Sequence, residues 1–381
     1  MEGMEPAIER AEGPMRLDDV GLEPLVSVLV TNHNYGRFVG EAIESALAQG
    51  YDRLEVVVCD DGSTDDSCEV ISRYVADDER VRLIAKENGG QASAFNAAFA
   101  ASSGSVLCFL DADDVFLPGK LVSVIEAFRA SRAGLLVHQM MIVDEVGRDL
   151  QRIPTFTRFE HGWIRARVLQ RGGRWRWMPT SGVALRREIA ERIFPIPEEP
   201  FRIDADMFML ELAPLLVEVA AIEEVLGRYR LHGANAYSRR KLDRQAVDRT
   251  IHSLTTAIDQ VNERLDRLRL DGDRLDPDRN LKLAEQRFLA RAFDGDASRW
   301  ELSRNYGTLT AALVRDDLYG LSQKAWAILL YLGVVILPVR SRIAWASASL
   351  GISHGKEFVR RVQQSVPEQL RRSLSGRRST P

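Results

Sequence analysis

From Leu25 to about Val143, short continuous apolar runs alternate with stretches whose apolar residues recur every three or four positions. Leu25–Thr31, Leu54–Cys59, Val81–Ala85, Val106–Asp111 and Leu135–Val143 are rich in Val, Leu and Ile. Their shortness and continuity predict strands buried on both faces. Between the first two, Val39, Ala42, Ile43, Ala46 and Leu47 follow helical spacing, and comparable helices fit Asp65–Val75, Gln91–Ala101 and Leu117–Ala130. This alternation predicts βαβ units, hence an α/β fold with a mainly parallel sheet flanked by helices. Ligands of such open sheets sit beyond the carboxyl ends of the strands, and the polar clusters of this chain fall there.

The pattern changes downstream. Residues 150–203 lose the alternation and gain Trp163, Trp175 and Trp177, which points to a second half of the same domain. Ile251, Leu254, Ile258, Val261, Leu265 and Leu268 then repeat at alternating spacings of three and four, a heptad-like seam that allows a homodimer through 251–268. Another helix fits Leu281–Phe293. Residues 325–339 run for fifteen positions without a charge, and a weaker apolar stretch, Ile343–Ile352, comes after Arg340 and Arg342. As a helix the first run is roughly 22 Å long, short of the roughly 30 Å hydrocarbon core. It reads either as a buried helix or as an apolar segment lying on a membrane. The expected organisation is a tail over 1–22, a catalytic domain over 23–240, a helical region over 241–317, and an apolar segment with a basic tail over 318–381.

Charge sharpens the membrane reading. Residues 1–22 carry six acids against two arginines, whereas 340–381 carry nine Lys/Arg against two Glu. A basic tail after an apolar run suits the anionic leaflet of a membrane, which gives a peripheral or monotopic location on its cytoplasmic face. Over all 381 residues, 51 Lys/Arg against 55 Asp/Glu leave a net charge of −4, which argues against a nucleic-acid partner. Three cysteines, Cys59, Cys68 and Cys108, are too few for a disulfide framework or zinc site and fit a reducing, cytoplasmic setting.

Two carboxylate clusters carry the candidate chemistry. Cys59-Asp60-Asp61-Gly62-Ser63 comes after one predicted strand; two acids before Gly-Ser can accept hydrogen bonds from a base or ribose, although Asp-Gly-Ser is also a common turn and helix cap. Leu110-Asp111-Ala112-Asp113-Asp114 ends another. Three carboxylates in four residues repel one another unless a cation holds them, and oxygen-only ligands suit Mg²⁺ or Mn²⁺.

In order, Val26–Val30 with Asn34, the helix Glu41–Gln49, Asp60-Asp61-Gly62-Ser63, Asn88–Asn96 and Leu110–Asp114 resemble the inverting family-two nucleotide-sugar glycosyltransferases, which have the GT-A fold. Thr180–Arg187, Ile203-Asp204-Ala205-Asp206-Met207-Phe208 and Tyr229-Arg230-Leu231-His232 are similar to later segments of that family, with Ile203 in place of its usual Glu. The resemblance implies a metal-dependent glycosyltransferase with Mn²⁺ or Mg²⁺, a nucleotide diphosphate donor (a UDP-sugar foremost) and a glycan or lipid-linked acceptor of cell-envelope or polysaccharide synthesis. It implies Thr31, Asn34, Asp60, Asp61, Gln91, Asn96 and Asp111 as donor-binding residues. Asp111, Asp113 and His232 would hold the metal, and Asp204 would be the general base. Trp177, Ser181 and Arg230 are candidates for the acceptor or diphosphate. Two other readings of the carboxylates stay open: a nucleotidyltransferase or other metal-dependent nucleotide enzyme, and a non-catalytic scaffold of the same fold.

Overall fold

The structure, a computed structural model, describes residues 13–150, 159–233, 244–270, 274–294 and 297–337. Most of the acidic tail, the basic tail 340–381 and the apolar stretch Ile343–Ile352 lie outside the described residues. The chain forms two compact units, Met1–Arg239 with Thr255–Asp276, and Arg240–Leu254 with Pro277–Pro381.

The first unit is built on one eight-stranded sheet. Its strands are β1 (Val26–Asn32), β2 (Leu54–Asp61), β3 (Val81–Lys86), β4 (Val106–Asp111), β5 (Val115–Phe116), β6 (Leu135–Val143), β7 (Val183–Arg186) and β8 (Val219–Arg230). They lie in the order β3-β2-β1-β4-β7-β6-β8-β5. The helices are α1 (Gly36–Leu47), α2 (Ser67–Asp77), α3 (Gln91–Ala101), α4 (Lys120–Ala130), α5 (Arg165–Gln170), α6 (Arg187–Ile193) and α7 (Ala205–Leu212). Val28, Val30, Val56, Val58, Cys108 and Leu110 are fully buried beneath Val39, Ala42 and Ile43 of α1 and Leu121 and Val124 of α4. Burial on this scale, at about 25 cal/mol per Å² of apolar surface, holds the unit together.

The parallel half is the one the apolar runs predict, since β1 pairs with β2 and β4, and β2 with β3, all in parallel. The sheet as a whole is mixed: β6 and β8 also pair in parallel, so four of its seven strand pairings are parallel and three are antiparallel. β7 runs antiparallel to both β4 and β6, and β5 antiparallel to β8. β7 spans only four residues, and β8 (VAAIEEVLGRYR) is half exposed with polar residues along it, so neither shows the continuous apolar run that marks a buried strand.

Register places the chemistry. Thr31 is opposite both Cys59 and Asp111, and Asn32 is opposite Asp60, so the polar ends of three parallel strands share one carboxyl edge.

The remaining helices are α8 (Arg244–Arg267), α9 (Leu281–Phe293), α10 (Arg299–Arg315) and α11 (Leu321–Ile336). The compact units divide within α8, not ahead of it as the sequence-based segments do. Leu254, Ile258, Val261, Leu265 and Leu268 are buried in the chain's own interior. Five of the six seam residues are thus covered within one chain, and Ile251 is half-buried. Arg264, from the 255–276 part, donates to the carbonyls of Arg192, Ile193 and Pro195 at 2.8–2.9 Å. In the second unit, Val247, Leu281, Phe288, Leu302, Leu309, Leu313, Tyr331 and Val334 form a separate core. Ser298 caps α10 with a reciprocal bond to Glu301. No helix among the described residues is long and apolar enough to cross a membrane.

Candidate active site

Beyond the carboxyl edge of β1, β2 and β4 lies a cleft of about 740 Å³. Its floor and one wall come from the parallel half: Thr31, Asn32, His33, Tyr35, Asp61, Gln91, Asp111 and Asp113. The other wall comes from the second half: Trp177, Thr180, Arg202, Ile203, Asp204, Asp206 and Met207. Seven residues singled out in the sequence therefore share the cleft: Thr31, Asp61, Gln91, Asp111, Asp113, Trp177 and Asp204.

The others stand behind it. Asp60 accepts hydrogen bonds from Asn32 Nδ2 (2.6 Å), Ser63 N (2.9 Å) and Ser63 Oγ (2.7 Å), and so locks the turn after β2. Asn34 adopts φ 59°, donates its N–H to Ser63 Oγ at 2.8 Å and accepts from Thr64 N at 2.7 Å, which joins the β1 and β2 loops. Asn96 exchanges two 2.8 Å bonds with the backbone of Ile196, a latch between the halves. Ser181 lies beneath the acidic turn, where its hydroxyl accepts from the Asp111 N–H at 3.0 Å. These four act on the shape of the site. Asp61 both lines the cleft and organises it: its carboxylate accepts from Lys86 Nζ and Gly89 N, each at 2.9 Å, and from Gly90 N at 2.7 Å.

Behind Asp113 lies a buried support of His, Arg and Lys side chains. His232 Nε2 is 2.9 Å from Asp113 Oδ2, and its ring packs against Tyr35 and Phe38 at 5.4 and 5.0 Å. Arg230 donates its backbone N–H to Asp114 Oδ1 (2.9 Å), Nε to the Asp113 carbonyl (2.8 Å) and an η nitrogen to Glu41 (2.6 Å). Lys120, fully buried, donates to the Ser181 carbonyl at 2.7 Å and lies over the Phe116 ring. Burial pulls its ammonium down to about 7.

The electrostatics of the acidic turn favour a divalent cation. Burial, then the charges of Asp113 and Asp206, push the Asp111 carboxyl well up, with hydrogen bonds from Thr31 and Gln91 acting the other way. Asp114 is raised by burial and by Asp113 and Asp111. A cation beside Asp111 and Asp113 relieves that repulsion. Among the described residues no group of three or more His, Cys, Asp or Glu is arranged to hold a metal alone. One or two carboxylates fit Mg²⁺ or Mn²⁺, which keep waters and take substrate phosphates as further ligands. In this arrangement His232 supports Asp113 from behind and does not line the cleft.

Across the cleft, Asp204 stands at the head of α7 in the left-handed conformation, φ 66°, without a side-chain capping bond. Its neighbour Asp206 is pushed up to about 6 by burial and then by Asp204, and accepts from Thr180 Oγ1 at 3.2 Å. Gln91 Oε1 accepts from the Ala205 N–H at 3.0 Å, which ties α7 to α3. Trp175 is core: buried, it donates Nε1 to the Leu210 carbonyl at 2.6 Å. Sequence reasoning assigns no role to Tyr35, Asn88, Arg202 or Tyr229 among the lining residues, although Asn88 and Tyr229 open segments that carry the resemblance. Tyr35 and Asn88 come after strand ends, which is a usable signal; Tyr229 sits on β8, which shows no strand pattern.

The carboxylate-lined cleft lies beyond the carboxyl ends of the parallel strands, where open α/β sheets bind their ligands. The sequence profile described as glycosyl transferase family 2 matches residues 27–194. An uncharacterized glycosyltransferase of Nostoc sp. is 34% identical over 284 residues, 74% of this chain and 86% of that protein. Hyaluronan synthase of Pasteurella multocida is 37% identical over 123 residues, 32% of this chain but only 13% of that protein. Among solved structures, S. aureus TarS 1-349 in complex with UDP-GlcNAc aligns with TM-score 0.53 at 16% identity, covering 87% of this chain and 91% of that one, a likeness of fold. The chain belongs to glycosyl transferase family 2. It is a glycosyltransferase, with the mixed, helix-flanked sheet of the GT-A fold.

Proposed function

We propose that the protein transfers a sugar from a nucleotide diphosphate donor, foremost a UDP-sugar, to a hydroxyl of a glycan or lipid-linked acceptor of the cell envelope or a polysaccharide, with inversion at the anomeric carbon. One observation carries this reading: a single cleft holds Asp111 and Asp113 on one wall and Asp204 with Asp206 on the other. Donor and acceptor need opposed sites of this kind, one for a leaving diphosphate and one for a base. Asp61, His33 and Asn88 form the wall for base and ribose, and Gln91 and Thr31 orient Asp111. Asp204 takes the proton of the acceptor hydroxyl as its oxygen bonds to the anomeric carbon and the bond to the diphosphate oxygen breaks. Trp177 supplies an aromatic face for the acceptor. When bound at Asp111 and Asp113, Mn²⁺ or Mg²⁺ neutralises the charge of the departing diphosphate.

Incubating the protein with a panel of nucleotide sugars and Mn²⁺ tests the reading. Release of nucleoside diphosphate from one donor, stopped by excess EDTA, is the expected result. Release of pyrophosphate from a nucleoside triphosphate would make it a nucleotidyltransferase, and thermal stabilisation by no nucleotide sugar would leave a scaffold.

A further inference from the structure

We propose that α11 is the docking face of the protein for an anionic lipid surface, which it meets lying flat in the interface. Ala327, Leu330, Tyr331 and Val334 are buried on one side of this helix and pack into the core of the second unit. At 100° per residue, Leu329 and Ile336 project from the opposite side and Trp326 from its flank, 61%, 60% and 67% exposed. Leu332 and Gly333 lie between them, half exposed. Lys324 is the sole charged residue of the helix, and its ammonium is turned to the Val314 carbonyl at 2.8 Å. A continuous apolar stripe that includes an exposed Trp is unusual on a water-facing helix.

Charge identifies the occupant. The 44 residues from Pro338 carry nine Lys/Arg against two Glu and begin at the carboxyl end of this stripe. Apolar side chains beside a surplus of positive charge match a bilayer interface with anionic headgroups; a second copy of the same chain would bring the same positive charge against it. Sixteen residues span about 24 Å, too short for the roughly 30 Å hydrocarbon core, so the helix lies on the membrane and does not cross it.

The test uses the full chain and does not depend on the donor reading, because it measures binding and not turnover. Wild-type protein is sedimented with vesicles of phosphatidylcholine alone and of phosphatidylcholine with phosphatidylglycerol. Binding to the anionic vesicles, weakened by salt, is expected, with about tenfold weaker binding for Trp326→Ser/Leu329→Ser/Ile336→Ser at unchanged far-UV circular dichroism. Trp326→Phe keeps the apolar face, and loses part of the quenching of tryptophan emission that brominated lipid causes in the wild type. Absence of wild-type binding, equal binding by the triple variant, or quenching unchanged in Trp326→Phe would overturn the proposal. A wild-type dimer that the triple variant converts to monomer without any vesicle binding would assign the face to a second copy instead.

Discussion

Asp204 faces two roles that a single atom separates. At the head of α7 it occupies the N-cap position, where an Asp commonly bonds back to the helix, yet no such capping bond is made. Its backbone is left-handed, uncommon outside glycine, and the residue lines the cleft. Asp204→Asn keeps the shape and removes proton acceptance, so kcat is expected to fall roughly 10²–10⁴-fold while donor affinity, read by calorimetry with the diphosphate, stays nearly constant. Full activity in Asp204→Asn with loss in Asp206→Asn would move the base two residues along. Glu211 supports a different prediction at the same scale. It is buried, its Oε2 lacks a hydrogen-bond partner among the described residues, and burial raises its carboxyl to about 8, offset in part by Arg174. The raised value means the folded state holds the proton more tightly than the unfolded state. Its contribution is complete below the unfolded value near 4.5 and is lost as pH rises towards 8. Glu211→Gln should therefore raise the melting temperature at pH 8, by roughly 1–3 kcal/mol of stability, and change little at about pH 4.5.

Among the elements, α3 shows how the halves are joined. Gly90 has φ 91°, and a Cβ there would meet the Arg202 backbone at 2.5 Å. The first N–H groups of α3 come at once after it: Gln91 donates to the Arg202 carbonyl (2.9 Å) and Ala92 to that of Phe201 (3.2 Å). Gly90→Ala forces both cleft walls apart. A loss of roughly 1–3 kcal/mol in denaturant unfolding is expected, with weaker donor binding even where the protein folds. Equal stability and equal donor affinity would show that the walls can yield. The parallel half is legible in the sequence because β1, β2 and β4 are buried on both sides, and burial of that kind leaves an unbroken apolar signature. β8 lacks it, since an exposed strand carries Glu223 and Glu224 without penalty, and its register shifts at His138/Gln139 break any simple alternation in its partner. At the site, residue types at strand ends disclose Asp111, Asp113 and Asp61. They do not disclose that Asn96 is held by its own chain, because its partner Ile196 is far away in sequence, whereas Asp60 is held in part by the nearby Ser63 of the turn the sequence allows.

For the whole molecule, the acidic cleft sets the response to ligands. With its carboxylates raised by burial and mutual repulsion, the catalytic unit should gain stability when a cation and a diphosphate arrive together. UDP with Mn²⁺ is expected to raise the melting temperature by several degrees, with neither effective alone, and Asp113→Ala should abolish the gain. A shift of the same size in excess EDTA would remove the cation from this account.

The bonds that complete the site also span long stretches of chain: Asn96 reaches Ile196, Asp113 reaches His232 and Glu41 reaches Arg230. During synthesis the parallel strands emerge first and can pair early, but the ribosome must add well over a hundred further residues before Asp113 meets its histidine. The nascent chain thus carries its acidic turn exposed and inert, and the enzyme is born active only when the last strand of the sheet has closed.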